Sequence, residues 1–174
     1  MQDGGEVYTA AEKYGLGFVG GTCGDVGVGG LGLVGGYGWL TGAHGLSVDN
    51  IVQLEVVLAD GSIVTASGME NPDLYWAMRG AGPCCGVATN ITFQGHRIDQ
   101  VWHGDLVFPS SAFPAIFEFV NYILRISKGE SSGLPIFVSY QALRILLLWL
   151  QYSTMVHRAR HKSSLLRCLI SIPL

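Results

Sequence analysis

The groups best placed to do chemistry in this 174-residue chain are backbone amides rather than side chains. Twelve of the 26 residues from Gly20 to Gly45 are glycine. Each glycine costs entropy on folding, so such a density needs a backbone reason. Within the stretch, Gly27-Val28-Gly29-Gly30-Leu31-Gly32 matches the spacing G-x-G-x-x-G. A dinucleotide-binding fold would start a helix there, with its N-terminus against a pyrophosphate. Gly35, Gly36, Gly38, Gly42 and Gly45 follow. At about 1 kcal/mol each relative to alanine, they argue against that helix. The whole stretch is therefore expected to be loops and turns. It also lacks the Gly-Lys-Ser/Thr of a Walker-type phosphate loop. Two readings remain open on residue physics. The amides form a nest of donors around an anion such as a diphosphate, or the segment is a turn-rich loop packed on itself.

Other side chains add little. Cys23, Cys84, Cys85 and Cys168 have no zinc-site spacing, so no metal site is expected. The adjacent Cys84 and Cys85 would bridge only under strain. His44 reads as a surface or loop histidine. Asp49-Asn50 reads as a structural turn with side-chain to backbone bonds. The 49% hydrophobic and 13% charged residues argue against disorder. A net charge of −3 argues against a nucleic-acid partner. The longest charge-free apolar run, Ile145 to Leu150, falls short of the ~20 residues that span a bilayer, so no membrane partner is expected. Met1 to Gly5 has neither the basic start nor the apolar run of a signal peptide, and localisation stays open.

The elements that must position the glycine-rich stretch follow from periodicity and turn chemistry. Val7 to Tyr14 reads as a short helix ended by Gly15, and Leu16 to Val19 as a short strand. Leu54 to Leu58 and Ser62 to Ala66 read as a hairpin over Asp60-Gly61. Asn71-Pro72-Asp73 opens a helix as cap, first turn and dipole partner, with Leu74, Ala77 and Met78 on its apolar face and Gly80 as its stop. Val87 to Phe93 alternates as a strand, and Leu106 to Phe108 suggests another. From Ala112 to Ile126 the residues Phe113, Ile116, Phe117, Val120, Ile123 and Leu124 fall at helical spacing. This order gives an α+β fold.

Composition changes near Glu130. The first 130 residues hold all 13 acidic residues and five basic ones, whereas the last 44 hold five basic residues and no acid. Residues 1–130 are therefore expected to be one domain, and 131–174 an atypical basic and apolar tail. Within that tail a helix from Ala142 to Met155 is expected, with apolar residues all round it. The tail is a domain-edge helix, or it is not native coding sequence; the second reading is favoured.

The ordered motifs resemble a known family. These are Gly21-Thr22-Cys23-Gly24-Asp25-Val26-Gly27-Val28-Gly29-Gly30, then Gly35-Gly36-Tyr37-Gly38-Trp39-Leu40, then His44-Gly45-Leu46-Ser47-Val48-Asp49-Asn50. Val56 to Gly61, Glu70 to Gly80 and Gly86-Val87 continue the likeness. Together, over roughly residues 7 to 125, they resemble FAD-linked oxidoreductases of the berberine bridge enzyme-like group, within the vanillyl-alcohol oxidase superfamily, in a fungal style. The resemblance implies the second half of a PCMH-type FAD-binding domain. It implies FAD as cofactor and a small-molecule substrate: an alcohol, sugar or amine whose hydride passes to flavin, with oxygen as final acceptor. It implies that Cys23 is the position that tethers flavin and that Val26 is the gatekeeper of an oxidase. Gly27, Gly29, Gly30, Gly36 and Gly38 would be the wall against FAD, with Tyr37, Gly45 and Leu46 beside it and Val87 near the adenine end.

Three departures stand beside the likeness. No residue before Cys23 matches the family's second, histidine tether. The substrate domain and the segment carrying the usual base are not matched, so no catalytic residue is assigned and the chain is expected to be inactive alone. Cys85 stands where an aromatic residue usually precedes Gly86, leaving room in the core. The alternatives are a flavin-binding or interaction module without turnover, and a non-functional remnant.

Overall fold

The computed structural model describes residues 3–98, 100–140 and 145–156. The chain divides into two units, Met1–Arg97 and Ile98–Leu174. That division lies well before the compositional change near Glu130.

The first unit is built on a three-stranded antiparallel sheet in the order β3-β2-β4, with β2 at Ile51–Val57, β3 at Ile63–Ser67 and β4 at Val87–Phe93. The β2–β3 hairpin turns over Asp60 and Gly61, whose φ is +84°. Asp60 Oδ1 accepts from the Ser62 amide at 2.9 Å and from its hydroxyl at 2.6 Å. Those bonds hold the Asp60 carboxyl below its ordinary range. Helix α4, Pro72–Ala81, packs Met78 onto β2, and Ile51, Leu54, Val56, Ala66 and Met78 form the buried core. Burying each of the larger of these contributes about 1.5–3 kcal/mol. Cys85 is half-buried against this core. The expected cap at Asn71 is corrected. Its side chain donates to the Thr65 carbonyl at 2.8 Å, and its backbone is left-handed at φ +48°. Gly80, at φ +141°, does interrupt the helix.

Before the sheet lie α1 at Gly4–Glu12, β1 at Leu16–Gly17, α2 at Val28–Leu33, α3 at Thr41–His44 and a 3₁₀ turn at Ser47–Asn50. Helix α1 begins three residues earlier than the sequence suggests, because Asp3 caps it by accepting from the Glu6 amide at 2.9 Å. The expected loops and turns of Gly20–Gly45 are corrected by α2 and α3. A helix of four to six residues rests on packing rather than propensity. Val28 is buried, and Leu33 packs against the sheet core. Strand β1 pairs with β5 at His96–Arg97.

The second unit contains β6 at Gln100–Pro109, α5 at Phe113–Ile126, β7 at Ser131–Tyr140 and β8 at Ile145–Val156. The strands form an antiparallel sheet with β8 in the centre. The helix expected from Ala142 to Met155 is thus overturned by a strand. A central strand pairs along both edges, and a continuous apolar run suits such a strand as well as it suits a buried helix. Residues 157–174 of the expected tail lie outside the described residues. In α5, Ile116 and Ile123 are buried, whereas Phe117 and Leu124 are exposed, so only some of the expected apolar face is covered.

Candidate functional site

The loop from Gly20 to Gly27 is held by the first turns of α1. The Gly4 amide donates to the Val26 carbonyl at 3.0 Å, and the Gly5 amide to the Gly24 carbonyl at 2.9 Å. One turn on, the Tyr8 hydroxyl donates to the Gly21 carbonyl at 2.6 Å. Two orphan amides of the helix start are thereby satisfied. The Tyr8 ring packs on Phe18 at 4.8 Å between centroids, and Phe18 on Phe93 of β4 at 5.6 Å. The Cys23 carbonyl accepts from the Val26 amide at 3.4 Å. The carbonyls of Gly21, Cys23, Gly24 and Val26 are therefore engaged with protein. Among the described residues, the amides of Gly21, Thr22, Cys23, Gly24 and Asp25 donate to no protein acceptor. Cys23 is an exposed free thiol at the centre of that run, and Val26 is exposed beside it.

Two further loops close on this one around Leu31. The Ser47 amide donates to the Gly36 carbonyl at 2.9 Å, and the Val48 amide to the Gly35 carbonyl at 2.8 Å. Gly36 has φ +79°, and a Cβ there would lie 2.5 Å from the Ser47 Cβ. A Cβ on Gly38 would lie 1.8 Å from the Gly20 carbonyl oxygen. Both glycines are thus required by close backbone approach. The third loop is locked by the turn expected at Asp49-Asn50. Asp49 Oδ2 accepts from the Leu46 amide at 2.9 Å. Asn50 Nδ2 donates to the carbonyls of His44 and Leu46 at 3.0 and 2.8 Å. With both amide hydrogens engaged, Asn50 Oδ1 must accept from His96 Nε2, 2.7 Å away. That contact fixes the imidazole tautomer. His44 is not simply a surface residue. It is half-buried, and its ring stacks on His96 at 3.7 Å. Burial first, and then the neighbouring His44, lower the His96 pKa.

A cavity of about 500 Å³ lies between α1, α2 and β4, lined by Val7, Val28, Gly29, Ala88, Thr89, Asn90, Ile91 and Phe93. This is within the usual range for small-molecule sites. The β2–β4 register shifts between Glu55 and Val56, leaving Thr89 outside the register, with its hydroxyl donating to the Glu55 carboxylate of β2 at 2.7 Å. Such a bulge re-aims side chains and breaks the expected alternation of Val87, Thr89, Ile91 and Phe93.

The structure brings Cys23, Val26, Gly27, Gly36, Gly38, Gly45 and Leu46 into the three interlocked loops. Gly29 and Gly30 lie on α2, Gly29 on the cavity wall and Gly30 exposed. Tyr37 is 69% exposed. Val87 starts β4, four residues before Ile91 and so about 13 Å along the strand at roughly 3.3 Å per residue. Sequence reasoning missed Tyr8, Thr89, Asn90 and His96. An isolated tyrosine in a short helix carries no motif, and a bulge has no residue signature.

Residues 4–67 match the family described as FAD binding domain. The FAD-linked oxidoreductase pgmH of Aspergillus terreus is 41% identical over 128 residues, covering 74% of this chain and 26% of that protein. Over this region the chain is similar to FAD-linked oxidoreductases of the berberine bridge enzyme-like group. A xylooligosaccharide oxidase of Thermothelomyces thermophilus is 55% identical over 74 residues, covering 42% of this chain and 15% of that protein. Among solved structures of the family, Physcomitrella patens BBE-like 1 superposes with a TM-score of 0.79 at 29% identity, over 97% of this chain and 36% of that one. The chain thus carries a portion of a PCMH-type FAD-binding domain and spans about a quarter of the length of its first curated relative. The residues present fit such a cofactor. Among the described residues, five amides without a protein acceptor, a free thiol and a cavity of about 500 Å³ lie within one unit. Among the described residues, no cluster of side chains could hold a metal ion, and no helix is long and apolar enough to cross a membrane.

Proposed function

We propose that this chain supplies a portion of the FAD site of an FAD-dependent oxidoreductase. In that reading it is an oxidase of alcohols, sugars or amine-type substrates with oxygen as acceptor. FAD would supply the hydride acceptor and the route to oxygen, and the protein would supply position and electrostatics. The observation that carries the reading is the Gly21–Asp25 loop. Its Gly21 and Gly24 carbonyls are tied to α1, its amides donate to no acceptor among the described residues, and it presents Cys23 to the exterior with Val26 beside it. In this reading Cys23 holds the flavin covalently and Val26 stands beside its oxygen-reactive carbon. Gly27, Gly29, Gly30, Gly36 and Gly38 form the wall, with Tyr37, Gly45 and Leu46 beside it. Val87 lies toward the adenine end of an elongated ligand. The distance from Val87 to Ile91 along β4 suits such a ligand.

A second reading, resting on the match of residues 4–67 to an FAD binding domain alone, is a flavin-binding module without turnover. Two measurements separate the readings. The purified 174-residue chain with added FAD should take on flavin absorbance, and a colourless protein removes both. Peroxide formed with a sugar or alcohol substrate selects the oxidase; bound flavin without peroxide selects the module. In a version joined to the segments of a relative that this chain does not match, denatured protein should retain flavin, and Cys23→Ala should weaken that retention. Flavin released freely from the unmutated version overturns the tether.

A further inference from the structure

We propose that Tyr8 is a positioning residue for the cofactor loop, its hydroxyl fixing the Gly21 peptide so that the donors flanking Cys23 face away from α1. The proposal rests on the FAD reading above and adds to it a residue outside the glycine motifs.

A trans peptide points its carbonyl and its N–H in opposite directions. The Tyr8 hydroxyl holds the Gly21 carbonyl at 2.6 Å, so the Thr22 N–H of the same plane points away from α1. The Gly5 amide holds the Gly24 carbonyl at 2.9 Å, so the Asp25 N–H points away likewise. Cys23 sits between these two fixed planes. One of them is held by backbone, the other by a single side chain. The room for that side chain is built in, because a Cβ on Gly20 would lie 2.4 Å from the Tyr8 oxygen and 2.6 Å from the Phe18 ring. The phenol also remains a donor throughout the working pH range, since burial pushes it up to about 12.

Tyr8→Phe keeps the ring on Phe18 and removes only the hydroxyl. Thr9→Val is the control. It deletes a side-chain bond of similar length on the same helix, from Thr9 Oγ1 to the Gly5 carbonyl at 2.8 Å, without touching the loop. Both variants of the full chain would be titrated with FAD, and their amide exchange followed without FAD. Tyr8→Phe should weaken FAD uptake about fivefold to tenfold, the worth of one hydrogen bond. It should also alter the bound flavin's absorption spectrum and speed exchange at Gly5 and Val26. Thr9→Val should leave the affinity and the spectrum unchanged. Wild-type affinity and spectrum in Tyr8→Phe, or an equal loss in Thr9→Val, overturns the proposal. If the unmutated chain takes up no FAD, the cofactor reading fails separately. Exchange then decides the clamp: faster exchange at Gly5 and Val26 in Tyr8→Phe supports it, and unchanged exchange overturns it.

Discussion

Gly30 and Gly38 lie eight positions apart in one glycine-rich stretch, and they should respond oppositely to alanine. A Cβ on Gly38 would collide with the Gly20 carbonyl at 1.8 Å, so Gly38→Ala must push the neighbouring loops away from each other. It should cost about 1–3 kcal/mol or more in chemical denaturation. Gly30 has open space around its Cβ position and lies in α2. Gly30→Ala should stabilise the chain by about 0.5–1 kcal/mol while weakening FAD uptake, a combination that packing alone would not produce. His96 gives a pH signature. Its pKa is lowered from the ordinary imidazole value of 6.5, so the unfolded chain binds the proton more readily. Stability is then full above that value and is lost as pH falls through the folded pKa. The thermal midpoint should drop as pH falls from about 7 toward about 5, and His96→Gln should flatten that slope. At this scale the sequence was legible where chemistry is local. Asp60-Gly61 and Asp49-Asn50 form the turns their residue types imply. Tyr8 and His96 were not legible, because their partners are 13 and 46 positions away.

Elements were legible where one periodicity excludes the other. Phe113–Ile126 and Val87–Phe93 sit where spacing puts them, and Asn71-Pro72-Asp73 starts its helix even though Asn71 spends its side chain elsewhere. Two elements were misread for opposite reasons. The α2 helix forms against its glycine content because tertiary packing outweighs propensity. The β8 strand was read as a helix because an apolar run has no phase. Its central position makes it the test of the second sheet. Gln151 pairs with Asp105 on one side and Leu134 on the other. Gln151→Pro should remove a ladder bond and cost on the order of 3 kcal/mol, read as lost β signal in circular dichroism and faster proteolysis of residues 98–156. The natural Pro135 is tolerated because β7 is an edge strand of that sheet.

At the scale of the molecule, the compositional change near Glu130 and the structural division at Arg97 and Ile98 do not coincide. Charge and glycine content report which residues meet solvent or need unusual backbone. They do not report where one set of contacts ends. All eleven residues assigned to the cofactor lie in the first unit, so the proposed FAD contacts of this chain draw on Met1–Arg97. Strand β4 of that unit pairs on one side only among the described residues, and from Val87 to Phe93 it carries neither charge nor proline. Natural sheets commonly guard such a border with lysine or proline. A border left unguarded is a template on which another copy can lay down its own backbone. The isolated chain is therefore a protein whose yield, shelf life and clarity will depend on keeping it dilute.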